Sequence, residues 1–154
     1  MITIRKMVIE DYDAVYEFWS NIPGMELNDV DDSLEGISKY IARNPDTSFV
    51  AIAEEKLVGV ILAGHDGRRG FIYHSAVLPG YRKQGIGTML VDKALEVLKM
   101  QGISKVGLLA FSENELGNQF WESVGFGSRD DCTYRDKKLV EMVYSANPYM
   151  NKSK

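Results

Sequence analysis

The chain has 154 residues, of which 45% are apolar, with a formal net charge of −4 and a single cysteine. This length and apolar fraction are typical of one globular domain with its own core. The negative charge argues against a general nucleic-acid binder, which needs a basic face to neutralise phosphates. Cys132 alone cannot form an internal disulfide or a cysteine-rich metal site, which agrees with a reducing compartment.

The composition along the chain indicates one domain and a cytoplasmic location. No apolar run approaches the roughly eighteen residues of a membrane span, and the first residues are too charged for a signal peptide. We find no repeat, low-complexity segment or long linker. We therefore expect one domain over residues 1–144 and a C-terminal tail over residues 145–154 that frays.

Apolar spacing in the first half predicts a strand, two helices and a hairpin. Alternation at residues 2–4 indicates the strand, and helical spacing then runs to Ile22, where Pro23 and Gly24 end the first helix. A second helix is predicted to begin near Asp31 or Asp32 and to end before a proline. The runs FVAIA and LVGVILA, separated by a short polar turn, predict an antiparallel hairpin.

The second half predicts a strand and helix alternation. FIYHSAVL forms a fourth strand, a helix with an apolar face runs from Ile86 to Gly102, and KVGLLAF forms a fifth strand parallel to the fourth. A capping box at Ser112 and Glu115 predicts a short fourth helix. Residues 126–144 predict two more strands. The expected fold is α/β (α+β), a mixed, mostly antiparallel sheet with helices on both faces.

The segment RKQGIG between the fourth strand and its helix predicts a diphosphate site. It places consecutive backbone amides at a helix N-terminus, where the first donors have no partner within the helix. Gly85 and Gly87 let a phosphate approach the backbone, and Arg82 and Lys83 add positive charge. A tight strand-to-helix turn is the alternative explanation for the two glycines.

Two other phosphate-binding loops do not fit this segment. Gly80 and Gly85 have the Walker spacing, but Ile86 and Gly87 follow where that motif needs Lys and then Ser or Thr. A dinucleotide fingerprint would need a third glycine at Leu90.

The segment resembles the GNAT superfamily of N-acetyltransferases. VLPGYRKQGIG, residues 77–87, matches the family's V-x-P-x-Y-R-x-x-G-x-G form, and NELGNQFWESVGF, residues 114–126, is similar to a second family element. The element order is also the family's, so the resemblance covers nearly the whole chain. It implies the GNAT acyl-CoA N-acyltransferase fold, with acetyl-CoA in a gap where the parallel strands 4 and 5 splay apart.

The resemblance also implies the residues that bind acetyl-CoA. The pyrophosphate would lie on backbone amides of the loop, and the pantetheine would run along strand 4, with one strand amide directed at the thioester carbonyl. Asn114 would contact the pantetheine from the other side, although a helix-start role is the alternative. Trp121 fills the place of the usual tyrosine acid, and Leu109 that of a glutamate base. The strand and loop positions are Ala76, Val77, Arg82, Lys83, Gln84, Gly85, Ile86, Gly87 and Thr88.

The catalytic base is less defined than the coenzyme site. Histidine is the side chain best suited to accept a proton near neutral pH, which favours His74, but a packed structural histidine is the alternative. Tyr73 and Glu113 are also nearby in sequence, alternation allows only one of Tyr73 and His74 on a given side, and a water relay would need no side chain.

Glu26, in the acidic segment GMELNDVDD, could attract or deprotonate an amine. Asp29, Asp31 and Asp32 could attract an amine as well, but Asp31 and Asp32 are expected rather to stabilise a helix dipole, and a solvated loop is the alternative for the rest of the segment.

The resulting expectation is an N-acetyltransferase that transfers the acetyl group of acetyl-CoA to a primary amine of a small molecule or peptide by direct attack in a ternary complex. It would use no metal and bind neither nucleic acid nor membrane, and the family makes a homodimer an option. A non-catalytic acyl-CoA sensor is the alternative, motivated by Trp121 and Leu109. The acceptor site is formed by loops whose conformation the sequence does not specify, so the expectation names a class of amine and no single compound.

Overall fold

The computed structural model describes residues 1–145, which form a five-stranded mixed sheet covered by helices. The strand order follows the chain, and every neighbouring pair is antiparallel except the last, which is parallel. This arrangement confirms the expected fold class. The strands are β1 (Ile2–Lys6), β2 (Phe49–Ala53), β3 (Lys56–His65), β4 (Gly70–Val77) and β5 (Val106–Leu108).

Four helices divide between the two faces of the sheet. They are α1 (Tyr12–Ser20), α2 (Leu34–Arg43), α3 (Ile86–Met100) and α4 (Glu115–Ser123), with short 3-10 turns at Ile9–Asp11 and Pro79–Tyr81. One buried cluster joins α1 and α2 to the sheet through residues such as Trp19 and Val60. A second joins α3 to the other face through residues such as Leu90 and Ile61, and α4 packs against it.

The starts of α2 and α4 differ from the predictions by one or two residues. The Ser33 hydroxyl accepts a hydrogen bond from the Gly36 amide at 3.0 Å and caps α2, so neither Asp31 nor Asp32 does. The Asn114 side chain accepts from the Gly117 amide at 3.0 Å, so the predicted capping box at Ser112 is wrong. In both helices the side chain of the residue immediately before the first turn accepts the hydrogen bond from a free backbone amide of that turn.

The two strands predicted over residues 126–144 do not form. Within the described chain this segment has one isolated bridge, between Asn28 and Tyr144, and the Ser145 amide donates to the Leu27 carbonyl at 2.8 Å. Its apolar side chains are not buried, and Leu139 is 90% exposed, so no core fixes a register. Of the predicted tail, Ser145 is hydrogen-bonded, and residues 146–154 lie outside the described residues.

A β-bulge interrupts β4 next to the site described below. Ile61 and Ala63 of β3 pair with Ser75 and Ile72 of β4, so two steps along β3 match three along β4. The extra residue places Tyr73 and His74 on the same face. The Tyr73 ring contacts Tyr40 of α2 and the His74 ring contacts Trp19 of α1. The expectation that only one of the two could face that side is therefore wrong.

The last two strands pair over three residues and then separate. Gly70, Phe71 and Ile72 pair with Val106, Gly107 and Leu108, where β5 ends, while β4 continues to Val77. This confirms the predicted parallel, splayed pair. The last five residues of β4 consequently have no β5 partner on that edge.

Candidate active site

The loop before α3 presents unpaired amides at a helix N-terminus. The first intrahelical bond runs from the Met89 amide to the Gly85 carbonyl at 3.0 Å, which leaves the amides of residues 86–88 without a partner inside the helix. Gln84, Gly85 and Thr88 are exposed. Arg82 and Lys83, also exposed, add positive charge beside these donors. The loop can therefore accept an anion with two phosphate groups.

The two glycines of this loop are required for different physical reasons. Gly85 has a φ of +81°, a left-handed conformation that side chains with a Cβ disfavour. A Cβ on Gly87 would instead lie 3.1 Å from the Phe120 ring of α4. Gly87 thus permits close contact between α3 and α4, a reason that the sequence pattern did not indicate.

The open edge of β4 presents backbone groups next to this loop. The Leu78 amide donates to the Val58 carbonyl of β3 at 2.9 Å. Because backbone groups alternate between the two edges of a strand, those of Val77 face away from β3. The Val77 carbonyl indeed accepts from the Arg82 guanidinium at 3.2 Å. By the same alternation, the backbone groups of Ala76, which lies opposite Val60, face β3.

His74 is paired with the buried carboxylate of Asp32, which lies in the segment between α1 and α2. Its Nε2 lies 2.8 Å from the Asp32 Oδ1, and their side chains are 20% and 4% exposed. The Trp19 ring packs edge-on against the imidazole, with centroids 4.9 Å apart. Asp32 was expected mainly to stabilise a helix dipole, and the structure shows in addition that its carboxylate binds His74.

Glu26 extends this cluster on the acceptor side. Burial raises the pKa of Glu26, with His74 lowering it and the Asp136 and Asp32 carboxylates adding to the rise. Tyr73 is less suited to act as a base, because burial raises the pKa of its hydroxyl further above 10.0, and Tyr134 and Asp31 add to this. Glu26 and His74 thus interact electrostatically, and both stay candidates for handling an amine and its proton.

A family model described as the acetyltransferase (GNAT) family matches residues 8–126. The chain belongs to the GNAT acetyltransferase family. An acetyltransferase of Sodalis glossinidius is 28% identical over 138 residues, covering 90% of this chain and 96% of its own. N-alpha-acetyltransferase 30 of Schizosaccharomyces pombe is 32% identical over 114 residues, covering 68% and 73%. The protein is thus an acetyl-CoA-dependent acyltransferase.

Solved GNAT structures share the fold of this chain. The PaiA N-acetyltransferase of Thermoplasma acidophilum, solved in complex with coenzyme A, has a TM-score of 0.70 at 22% identity and covers 84% of this chain and 92% of its own. AAC(6')-Iy, solved with the bisubstrate analog CoA-S-monomethyl-acetylneamine, has a TM-score of 0.68 at 19% identity and covers 90% and 99%. The expected GNAT fold is confirmed.

The remaining predicted site residues of this GNAT acetyltransferase lie around α4. Trp121 packs between the rings of Phe120 and Phe126, with centroids 5.1 and 5.3 Å away. Asn114 uses its side-chain oxygen as the α4 cap. Glu113 is exposed, and Leu109 is 56% exposed just beyond the end of β5.

Residues 1–145 of this acetyltransferase show neither a cluster of metal ligands nor a helix that could span a membrane. No group of three or more His, Cys, Asp or Glu side chains in this range could hold a metal ion. None of the helices in the same range is long and apolar enough to cross a membrane.

Proposed function

We propose that this GNAT acetyltransferase moves the acetyl group of acetyl-CoA to a primary amine of a small molecule or peptide, by direct attack of the amine in a ternary complex. The observation that carries the proposal is His74, held by Asp32 on the part of β4 that has no β5 partner. The amine acceptor is also supported by the names of relatives that are N-acetyltransferases.

The chain's own residues fit the coenzyme. The amides of residues 86–88 and the positive charges of Arg82 and Lys83 suit its pyrophosphate. The Val77 amide faces the open edge of β4 and is the strand donor that suits the pantetheine or the thioester oxygen. Ala76 is its neighbour on the same strand. Asn114 and Trp121 close the gap from α4. Acetyl-CoA supplies the activated acetyl group.

His74 and Glu26 handle the acceptor in this proposal. An alkylammonium with a pKa near ~10 must lose a proton before it can attack, and an imidazole can accept that proton. The carboxylate of Glu26, which interacts electrostatically with His74, attracts the cationic amine and is the second candidate base. Trp121 does not protonate the departing thiolate, because an indole N–H has no accessible acidity. Water takes that role.

The test is release of the CoA thiol against a panel of polyamines, aminoglycosides, amino acids and short peptides, with acetyl-CoA binding measured by calorimetry in parallel. We expect turnover with one class of amine. His74→Gln should then lower kcat by about 10²–10⁴-fold while acetyl-CoA still binds. The matched control is His65→Gln, since His65 is the last residue of β3 and its ring contacts Gln101 rather than Asp32.

Two outcomes would contradict the proposal. If His74→Gln kept the wild-type kcat, the base would lie elsewhere. If acetyl-CoA bound tightly and no amine gave turnover, the sensor alternative would replace the proposed transfer.

A further inference from the structure

The carboxylate of Asp32 is fixed on every side in a way that ordinary surface aspartates are not. Its Oδ1 lies 2.8 Å from His74 Nε2, and its Oδ2 accepts from the Asn28 amide at 2.9 Å. The Tyr12 hydroxyl donates to the Asp32 carbonyl at 2.6 Å. The residue is only 3% exposed. The carboxylate therefore cannot rotate away from the imidazole without losing a buried hydrogen bond.

This arrangement determines which ring nitrogen of His74 carries the hydrogen. An ionised carboxylate can only accept, so the nitrogen that faces it must donate. In the neutral imidazole the hydrogen then sits on Nε2, and Nδ1 keeps its lone pair. Within residues 1–145, Nδ1 has no hydrogen-bond partner. The atom that can accept a proton is thus the one that Asp32 does not touch.

The β-bulge is what makes the pair possible. With regular alternation, a residue next to Tyr73 would face α3, and His74 could not reach the segment between α1 and α2. The extra residue of β4 turns both rings to that side, where Asp32 lies directly before the Ser33 cap of α2.

We infer that Asp32 is a positioning residue, which holds His74 in the Nε2–H tautomer so that Nδ1 is the proton acceptor of the acyl transfer. The inference rests on the proposed function. In this step one N–H bond of the acceptor ammonium breaks, its proton forms the N–H bond at Nδ1, and the neutral amine keeps the electron pair for attack. The imidazolium is stabilised by the Asp32 carboxylate and later returns its proton to water.

The first test reads the tautomer by long-range 1H–15N NMR of the histidine rings, at a pH where they are neutral. The chain has two histidines, and the Gly67 amide donates to His65 Nδ1, so both rings should report Nε2–H. His65→Gln removes the second signal and assigns His74. An Nδ1–H tautomer for His74 in the wild type would overturn the inference.

The second test is Asp32→Asn, which keeps the side-chain shape. The two donors contact different oxygens of the carboxylate, His74 Nε2 at Oδ1 and the Asn28 amide at Oδ2. Asparagine replaces one of these oxygens with an NH2 group, which must then face one of the two donors. We expect loss of the pure Nε2–H signal and a kcat lowered by about 10²–10⁴-fold, with the amine KM and the acetyl-CoA Kd unchanged. The matched control is the exposed neighbour in Asp31→Asn, which should keep the wild-type kcat and tautomer.

The tests separate failure of this inference from failure of the proposed function. If His74→Gln is inactive but Asp32→Asn keeps both the wild-type kcat and the Nε2–H signal, Asp32 has no positioning role and His74 remains the base. A changed tautomer with unchanged kcat would also overturn the inference. If His74→Gln is active, the proposed base itself is wrong. Thermal unfolding of each variant shows whether a lost kcat reflects a lost fold.

Discussion

At the scale of single residues, Glu26 has a partly buried carboxylate that interacts electrostatically with the carboxylates of Asp136 and Asp32. Its pKa is raised mainly by burial, so the folded state tolerates the ionised form less well than the unfolded chain does. The stability that a protonated Glu26 provides is present at low pH and is lost as the pH rises through the raised pKa. A residue that binds a cation can be unfavourable until the cation arrives.

We therefore predict that Glu26→Gln unfolds at a higher temperature than the wild type at pH 7, and that the difference disappears below about pH 4, where both side chains are neutral. The same variant should have a higher KM for a cationic amine. Glu17→Gln, an exposed site on α1, is the control and should show neither effect. Lower stability of Glu26→Gln at pH 7 would contradict the account of burial.

Gly85 is the second residue whose role can be isolated. Because its φ is +81°, Gly85→Ala should strain the turn by about 1–2 kcal/mol and move the loop amides. We predict weaker acetyl-CoA binding by calorimetry. Gly80→Ala is the matched control, because Gly80 lies in the same connection and a Cβ there meets nothing within 4 Å. Equal affinity in both variants would exclude this loop as the phosphate site.

At the scale of elements, the cap of α4 is also a predicted coenzyme contact, and the two roles can be separated. Serine caps helices about as well as asparagine but has no amide group. We predict that Asn114→Ser keeps the wild-type melting temperature and binds acetyl-CoA more weakly. Asn114→Ala should lose the cap as well, at about 1 kcal/mol of unfolding free energy. If Asn114→Ser bound acetyl-CoA normally, Asn114 would be a cap only.

A cap far from the coenzyme provides the comparison. Ser33→Ala should lower stability by a similar amount, about 1 kcal/mol, through the start of α2 and leave acetyl-CoA binding unchanged. A weaker acetyl-CoA affinity in that variant would mean that loss of stability alone explains the effects at Asn114.

The elements through α4 could be predicted because their periodicity reports real burial. The apolar face of α3 is buried through Ile86, Leu90 and Ala94, as its spacing indicates. The segment after α4 has only short, irregular groups of apolar residues, and its side chains are mostly exposed, so the sequence could not predict pairing reliably. The bulge in β4 was also not predictable, because it depends on register against β3 rather than on local sequence.

The site was predictable to the extent that its parts are local. The loop of residues 82–88 is one continuous stretch, so its exposed amides at the start of α3 could be predicted from the sequence, and its binding of phosphate stays a prediction. Asp32 and His74 are separated by 42 positions, and neither belongs to a spaced motif. Their pairing arises from burial of an aspartate beside a bulge, which only the folded chain shows.

At the scale of the whole molecule, the residues proposed for the coenzyme and those proposed for the acceptor lie on opposite faces of the sheet. The phosphate loop and α4 lie with α3 on one side, and His74, Asp32 and Glu26 lie with the α1 and α2 layer on the other. A homodimer stays a prediction.

Ser145, at the end of the described residues, is attached to the same segment as Glu26. The Ser145 amide donates to the Leu27 carbonyl, and its hydroxyl accepts from the Leu27 amide at 2.9 Å, beside Glu26. We predict that Ser145→Pro, which removes both bonds, raises the amine KM and leaves the acetyl-CoA Kd unchanged. Ser128→Pro, in an exposed part of the same segment, is the control. A changed acetyl-CoA Kd would contradict the separation of tasks.

The exposed Cys132 has a practical consequence for how this enzyme is measured. A thiol reagent that detects the CoA product will also modify this side chain, so each chain contributes one background equivalent that grows with enzyme concentration. Cys132→Ser would remove that background. The same uniqueness is useful in the wild type, because a fluorophore attached there labels a single known position. Tyr134 and Asp136, two and four residues further on, add to the raised pKa values of Tyr73 and Glu26, so the dye would label the segment that influences these two side chains.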